Sequence, residues 1–385
     1  MRVALFTECY HPTINGVVVS VSIFARELAK QGHDVHIYAP AYAGYRDTEP
    51  NVHRLYSLPP PRSIHYPLAI PFGTAFLDGV FTKHPPDIVH ANHPFLTGRE
   101  ARRLARRRAC PLVFTYHTII RDYAHYVPLP GALVRRLAVW VSREFSNSAD
   151  CVLAPTRAVA DLLRSYGVTR RIEVIPTGID LDLIASTPRR AVRSRWGVPP
   201  EAPLVCYSGR IAKEKNLTTL LRAFALVTEA FGDAHLLLVG GGPWEAACRE
   251  MIGTLGLEDR VHLTGYVSRA EVFDCLADST AFAFPSLTDT QGLVVLEAMA
   301  VGCPSVALRS GAVADVIRDE VDGLIVAPSV EALAEGIKRL LASEDLRVRL
   351  AGQARQRAEE FSAGNMALRL SQVYSSLLGE SAAFR

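Results

Sequence analysis

The stretch LTDTQGLVVLEAMA, Leu287 to Ala300, follows the apolar run Ala281–Phe284, and its reading sets the reading of the whole chain. A short apolar run, a turn at Gly292 and an apolar helical start make a strand–turn–helix junction, the repeating join of a parallel α/β layer. The first N–H groups of such a helix have no intrahelical partner, so this end favours an anion. Asp289 and Glu297 stand eight residues apart across the turn. Ionised carboxylates accept from hydroxyls, so two of them beside an anion-attracting helix end suit a ligand both phosphorylated and rich in hydroxyls.

Working outward, Leu204–Ser208, His235–Val239, Val261–Thr264, Ser305–Leu308 and Leu324–Val326 read as further strands with helices between them. Upstream, Val3–Thr7, Val35–Ala39, Ile88–Ala91, Leu112–Tyr116, Cys151–Ala154 and Ile172–Ile175 repeat the alternation. A chain of 385 residues is long for one core and suits two domains. The fold class expected is α/β, with two doubly wound units facing each other across a cleft: residues 1–178, and residues 179–365 after a pause at PTGIDLDLI. Helical patterns at Glu331–Ser343, Leu346–Phe361 and Met366–Leu378 close the chain, and the last helix, about residues 366–385, is a candidate to pack back on the first domain. The span Tyr42–Pro86, rich in Pro, Tyr and His, shows little periodicity and reads as irregular structure on the acceptor side.

With 49% hydrophobic and 21% charged residues the chain can bury sizeable cores. Its seven cysteines are scattered, odd in number and without a CxxC pair, which argues against a disulfide framework or zinc site and for reduced thiols in a cytoplasmic protein. MRVALFTECYHP carries too short an apolar run for a signal peptide, and no uncharged apolar run reaches the roughly 18 residues of a membrane span. Met1 to Asp180 holds 21 Lys and Arg against 14 Asp and Glu, a net of +7, whereas the remainder nets −4. That asymmetry directs the first domain toward something anionic.

In open α/β sheets ligands bind at the carboxyl ends of the strands, so the loops there carry the chemistry. GRIAKEKNL after Leu204–Ser208 offers Gly209 for close backbone approach, and Arg210 and Lys215 as cations able to neutralise a diphosphate; its alternative is a solvated charged loop. VGGGPW, Val239 to Trp244, lacks GxGxxG spacing and reads as a tight turn or a backbone approach to a nucleotide. In TGYVSRAEV, Tyr266 and Val267 can offer backbone groups to a base edge, while Ser268 and Glu271 have capping-box spacing. Gly16 and His117 occupy loops after strands of the first unit; Gly16 admits a phosphate, and His117 is either structural or a hydrogen-bond partner for a sugar hydroxyl. Asp180 and Asp182 form a DxD triplet in the connector, where a turn or helix cap is favoured over a metal.

In TGREARRLARRR, Arg99, Arg102, Arg103, Arg106 and Arg107 fall on one helical face, opposite only Ala101, Leu104 and Ala105. Such a stripe suits an anionic lipid surface with shallow insertion at best; a solvated face is the plain alternative, and nucleic acid is disfavoured because no stacking aromatics interleave.

Together the NGV loop, FTYHT, PTGID, GRIAKEKNL, LVGGGP, LTGYV and DTQGLVVLEAMA resemble the family-4 retaining glycosyltransferases of the GT-B fold, over nearly the whole chain. The resemblance implies that Arg210 and Lys215 bind the donor diphosphate, that Glu297 holds the ribose, and that Asp289, with the amides of Gln291, Gly292 and Leu293, holds the donor sugar. It puts Gly16 and Gly209 beside the phosphates, His117 beside the sugar and Tyr266–Val267 beside the base. His117, Arg210, Lys215 and Asp289 form the implied catalytic set, with no metal or other cofactor. Two departures stand out: Asp289 where the family usually has glutamate, and Asn15-Gly16 where many members have two glycines. TYHTIIRDYAHYVP and TQG are similar to bacterial diacylglycerol glycosyltransferases, which makes Asp122, Tyr123, His125 and Tyr126 acceptor-side candidates. The resemblance implies transfer of a hexose, foremost glucose from UDP-glucose, to a membrane lipid such as diacylglycerol by a peripheral enzyme on the inner face of the cell membrane. Alternatives are a GDP-mannose donor, a soluble acceptor, a nucleotide-sugar epimerase or a non-catalytic nucleotide-sugar-binding protein. No feature of the sequence selects an oligomeric state.

Overall fold

The computed structural model describes residues 1–59, 67–70, 81, 85–122, 130–187 and 190–383. The chain forms two compact units, Met1–Gly178 with Ala363–Arg385, and Ile179–Ser362. The first contains β1 (Arg2–Phe6), α1 (Gly16–Lys30), β2 (Asp34–Pro40), β3 (Val52–Leu55), β4 (Ser57–Leu58), β5 (Leu68–Ala69), β6 (Ile88–Ala91), α2 (Leu96–Arg108), β7 (Leu112–Thr115), α3 (Gly131–Asn147), β8 (Cys151–Ala154), α4 (Arg157–Ser165) and β9 (Arg171–Val174). The second contains α5 (Leu181–Ser186), β10 (Leu204–Ser208), α6 (Leu217–Thr228), β11 (His235–Val239), α7 (Glu245–Thr254), β12 (Val261–Leu263) and α8 (Arg269–Ala277). It continues with β13 (Ala281–Phe284), α9 (Leu293–Val301), β14 (Ser305–Leu308), α10 (Gly311–Ala314), β15 (Leu324–Val326), α11 (Val330–Ala342) and α12 (Glu344–Glu360). The last helix, α13 (Ala363–Ala383), belongs to the first unit.

Each unit is built on a parallel sheet, ordered β3-β2-β1-β6-β7-β8-β9 in the first and β12-β11-β10-β13-β14-β15 in the second. Strands covered by helices on both faces read as unbroken apolar runs. In β10, LVCYS, all five residues are buried, as are all four of AFAF in β13. The strand order reverses between β1 and β6 in one unit and between β10 and β13 in the other. Loops leaving those strand ends in opposite directions open a crevice at the carboxyl edge.

Met366, Leu370, Val373 and Tyr374 of α13 share one apolar cluster with Val18, Val21 and Leu28 of α1. Buried Tyr374 lies 2.6 Å from His90 Nδ1, and His90 Nε2 lies 2.6 Å from Thr115 Oγ1. The helix is thereby tied to the strands beneath it.

The described residues of the span Tyr42–Pro86 include paired strands that its composition did not suggest. β3 pairs in parallel with β2, and β4 with β5 antiparallel. β3 is VHRL, and its pairing rests on polar side chains: His53 stacks on Tyr38 with ring centroids 4.8 Å apart, and Arg54 binds both carboxylate oxygens of Asp47 at 2.6 and 2.7 Å. An edge strand held this way carries no hydrophobic alternation to read.

Candidate functional site

In the second unit the loops at the β10/β13 switch point meet. Lys215 Nζ donates to Asp289 Oδ1 at 2.5 Å, joining the loop after β10 to the loop after β13. The other oxygen, Asp289 Oδ2, is buried with no hydrogen-bond partner. A buried carboxylate oxygen is costly without a donor, so this atom is available to accept from a hydroxyl. Asn216, in the left-handed region at φ +57°, reinforces the junction by donating from Nδ2 to the Pro285 carbonyl at 3.0 Å. Arg210 is ion-paired with Glu214, whose side chain is buried.

The turn into α9 needs Gly292: its φ is +73°, and a Cβ there would meet the Phe284 ring at 3.2 Å. No side chain caps α9, so Leu293 begins a helix whose first N–H groups face the loop. Gln291 beside it is buried. Glu297, one turn into α9 and 3% exposed, is ion-paired with Arg269 at the first position of α8. Burial pushes the Glu297 carboxyl up, and Arg269 opposes that shift. Arg269 is itself positioned over the Phe273 ring, 5.2 Å from its centroid.

The glycines of VGGGPW have a packing reason. A Cβ on Gly240 would lie 2.1 Å from the Gly209 carbonyl oxygen, and one on Gly242 2.3 Å from that of Ile211. The β11 loop therefore lies directly on the β10 loop, with Ile211 N–H donating to Gly241 O at 2.9 Å. Tyr266, 77% exposed, lays its ring against Gly241, while Val267 packs toward the core. Ser268 and Glu271 form the capping box of α8. Asp180 accepts from the Leu183 N–H at 3.0 Å and caps α5.

In the first unit Gly16 is the first residue of α1, capped by Asn15, which accepts from Val18 N–H at 2.9 Å. His117 follows β7, half-buried, with Nε2 2.9 Å from Asn92 Oδ1. Burial, with His93 and His90 nearby, holds His117 well below the usual imidazole range, so it is neutral at pH 7. Glu8 accepts from the N–H and hydroxyl of Thr97 at 2.6 and 3.0 Å, and its own N–H donates to His93 Nδ1 at 3.1 Å. Glu8, Asn92 and His93 thus join His117 at the β1/β6 switch point. They escaped the sequence reading although NHPF, Asn92 to Phe95, directly follows β6, where the strand-end rule that singled out His117 applies equally. Arg269 escaped it because it acts through a tertiary contact with Glu297, whereas the Arg210–Glu214 pair is local, at i and i+4. Among the acceptor-side candidates, Asp122 pairs with Arg121 at 3.0 Å; Tyr123, His125 and Tyr126 lie outside the described residues.

The arginine helix is corrected in part. Arg99, Arg103, Arg106 and Arg107 are exposed on α2, but Arg102 is half-buried over the Phe145 ring at 5.8 Å. Ala101, Leu104 and Ala105 are buried in the core, so that face cannot enter a lipid surface. Large exposed apolar residues lie instead on α3: Leu133, Leu137 and Trp140. Among the described residues no helix is long and apolar enough to cross a membrane.

Two parallel, doubly wound units in tandem are the architecture of the GT-B fold. Residues 14–183 match the model of Glycosyltransferase Family 4, and residues 188–357 that of Glycosyl transferases group 1. The chain is 30% identical to an alpha-monoglucosyldiacylglycerol synthase of Streptococcus pneumoniae, over 97% of this chain and 85% of that protein. It is 31% identical to a D-inositol 3-phosphate glycosyltransferase of Xylanimonas cellulosilytica, over 94% and 91%. Among solved structures, a sucrose-phosphate synthase from Thermosynechococcus elongatus superposes with a TM-score of 0.81 at 23% identity, covering 98% of this chain and 99% of that one, a likeness of fold. The chain belongs to the family-4 glycosyltransferases and is a glycosyltransferase enzyme.

Proposed function

We propose that the protein transfers a hexose, foremost glucose from UDP-glucose, to a hydroxyl of a membrane lipid such as diacylglycerol, with retention of configuration and without a metal. The observation that carries the donor half is the Lys215–Asp289 pair beside the uncapped start of α9. It sets a cation, a hydroxyl-seeking carboxylate oxygen and helix amides in one loop junction, matching the phosphate and sugar of a single ligand. Glu297 supplies a buried acceptor for a ribose diol, and the exposed face of Tyr266 a platform for the base. The lipid acceptor is supported by the pneumococcal relative's name; the inositol-phosphate relative supports a soluble acceptor as the second reading.

In this reading the bond from the sugar's anomeric carbon to the diphosphate oxygen breaks, and the acceptor oxygen bonds the same carbon from the same face. The acceptor's proton passes to the departing diphosphate. Arg210 and Lys215 stabilise the charge gathering there, work a divalent cation performs in other transferases. The membrane-side location expected of such an enzyme is the inner face, with the cationic first unit toward anionic lipid. Incubation with labelled UDP-glucose or GDP-mannose and either diacylglycerol vesicles or soluble sugar phosphates tests it. Label in a diacylglycerol product supports the reading, and label only in soluble product defeats it.

A further inference from the structure

We infer that Glu214 is a positioning residue acting through Arg210: it answers part of the guanidinium charge and so keeps the site from holding the released diphosphate more tightly than the donor. This deepens the donor half of the proposed function, in which Arg210 meets the diphosphate, and rests on it. GRIAKEKNL was singled out for its cations, but the structure places a covered carboxylate among them. The Glu214 side chain is 3% exposed, against 35% for the Arg210 it pairs with. Glu214 is thus sealed from a ligand that Arg210 can reach.

The backbones of both residues are held independently of their ion pair. Glu214 lies in the single turn Lys213–Lys215, where the Lys215 N–H donates to Ala212 O at 3.0 Å. Its carbonyl accepts from Thr288 Oγ1 at 3.1 Å, which ties the turn to the loop after β13, one residue before Asp289. The Arg210 carbonyl accepts from the hydroxyl of buried Tyr207, also at 3.1 Å. The Glu214 carboxylate is therefore left to settle where the guanidinium points and how much of its charge is answered. Tyr207 also locates the pair: burial raises its pKa, as do Asp289, Cys248 and Glu214, with Arg210 opposing. The Arg210–Glu214 and Lys215–Asp289 pairs thus lie about one phenol at the β10/β13 junction.

Charge decides what such a pair does. A diphosphate that has lost its sugar carries more negative charge than the donor once it sheds the acceptor's proton, since a terminal phosphate has its second pKa at about 6. Uncompensated cations would hold this product harder than the substrate, and turnover would wait on its release. A buried carboxylate bonded to Arg210 repels the same diphosphate that the guanidinium attracts, and salt screens buried charges little. It weakens product more than donor because the product has the larger charge.

Calorimetry on the full chain tests this, using UDP or GDP, whichever the parent binds, and the corresponding nucleoside without phosphate. Glu214→Gln keeps the side chain's size, an acceptor oxygen for Arg210 and the backbone tie to Thr288, and removes the charge. It is expected to bind the nucleoside diphosphate about tenfold more tightly and the nucleoside as the parent does. Glu214→Asp, which keeps the charge, is expected to show no such gain. A merely structural glutamate gives the opposite sign, since a loosened loop binds less well. The proposal is overturned if Glu214→Gln binds the diphosphate as the parent does or more weakly, if the nucleoside tightens equally, or if Glu214→Asp gains as much. Arg210→Gln separates this from the reading beneath it. Diphosphate affinity unchanged in that variant removes Arg210 from the diphosphate and fails the donor reading; a loss there, without a gain in Glu214→Gln, fails the role of Glu214 alone.

Discussion

Asn92 fixes which nitrogen of His117 carries the proton. The Asn92 side-chain NH2 donates to the Phe6 carbonyl at 3.2 Å, which turns Oδ1 toward His117 Nε2 at 2.9 Å. An amide oxygen only accepts, so the neutral imidazole is protonated on Nε2 and Nδ1 is its acceptor. A ligand hydroxyl reaching this edge then meets an accepting nitrogen, Nδ1. Asn92→Asp places a carboxylate beside Nε2 and raises the His117 pKa. Turnover of that variant is expected to fall relative to the parent as pH is lowered and to recover as pH rises, while the parent stays flat near neutrality, since its His117 is already neutral there. A pH profile with no difference between the two contradicts this.

The unpartnered Asp289 Oδ2 predicts a split between two ligands. Asp289→Asn is expected to weaken UDP-glucose by roughly tenfold or more but UDP far less, because only the sugar offers a hydroxyl to that oxygen. Lys215→Ala weakens both. Asp289→Glu, which restores the residue usual in the family, has to push its carboxylate past the 2.5 Å contact with Lys215, so activity is expected to fall. A gain would mean that the shorter side chain limits the enzyme. Calorimetry with each ligand separates these effects, and equal losses for UDP and UDP-glucose in Asp289→Asn would remove Asp289 from the sugar site.

Arg269 opposes the burial that pushes the Glu297 carboxyl up. With Arg269→Met the opposing charge is gone, burial alone acts, and the carboxyl titrates higher. A protonated Glu297 accepts less well from a ribose diol, so donor affinity in this variant is expected to drop more steeply than in the parent as pH falls from 8 to 6. A parallel pH dependence in parent and variant counts against the assignment of Glu297 to the ribose.

His90 makes an acid-side prediction about stability. Burial lowers its pKa from 6.5 to about 3. Below pH 6.5 the unfolded chain takes up a proton that the folded chain refuses, so this contribution is complete above pH 6.5 and is lost as pH falls. Between pH 6.5 and pH 5 the loss is about 2 kcal/mol at ~1.4 kcal/mol per pH unit. His90→Asn is expected to be less stable than the parent at pH 7, with the gap narrowing by about that amount at pH 5. Denaturant unfolding at the two pH values checks it, and a constant gap would show that His90 is not excluded from protonation in the fold.

Where burial dictates sequence, the fold was legible. β6, β8, β10, β11, β13, β14 and β15 occur at the bounds their apolar runs suggest, because strands packed under helices are mostly apolar, with the few polar residues, such as His90, Ser208, His235 and Ser305, buried among them. β3 was not legible, being an edge strand held by His53 and Arg54. Candidate site residues at strand ends, such as Lys215 and Asp289, could be singled out from position. Their direct contact could not, since 74 residues separate them and only the β10/β13 switch brings their loops together. The α2 arginines were read from spacing, but spacing could not say that Ala101 and Leu104 face the sheet or that Trp140 faces outward. Periodicity gives a helix two faces, and packing decides which is covered.

The central claim is that a hexose moves from a nucleotide donor to a lipid hydroxyl through a site that needs no metal. Incubation with UDP-glucose and vesicles of diacylglycerol and phosphatidylglycerol in excess chelator, with the product's anomeric linkage read by NMR, tests it most directly. The account predicts an α-linked glucosyl lipid formed in the chelator. A β-linked product, activity lost with the chelator and restored by a divalent cation, or release of free glucose with no glycolipid would contradict it.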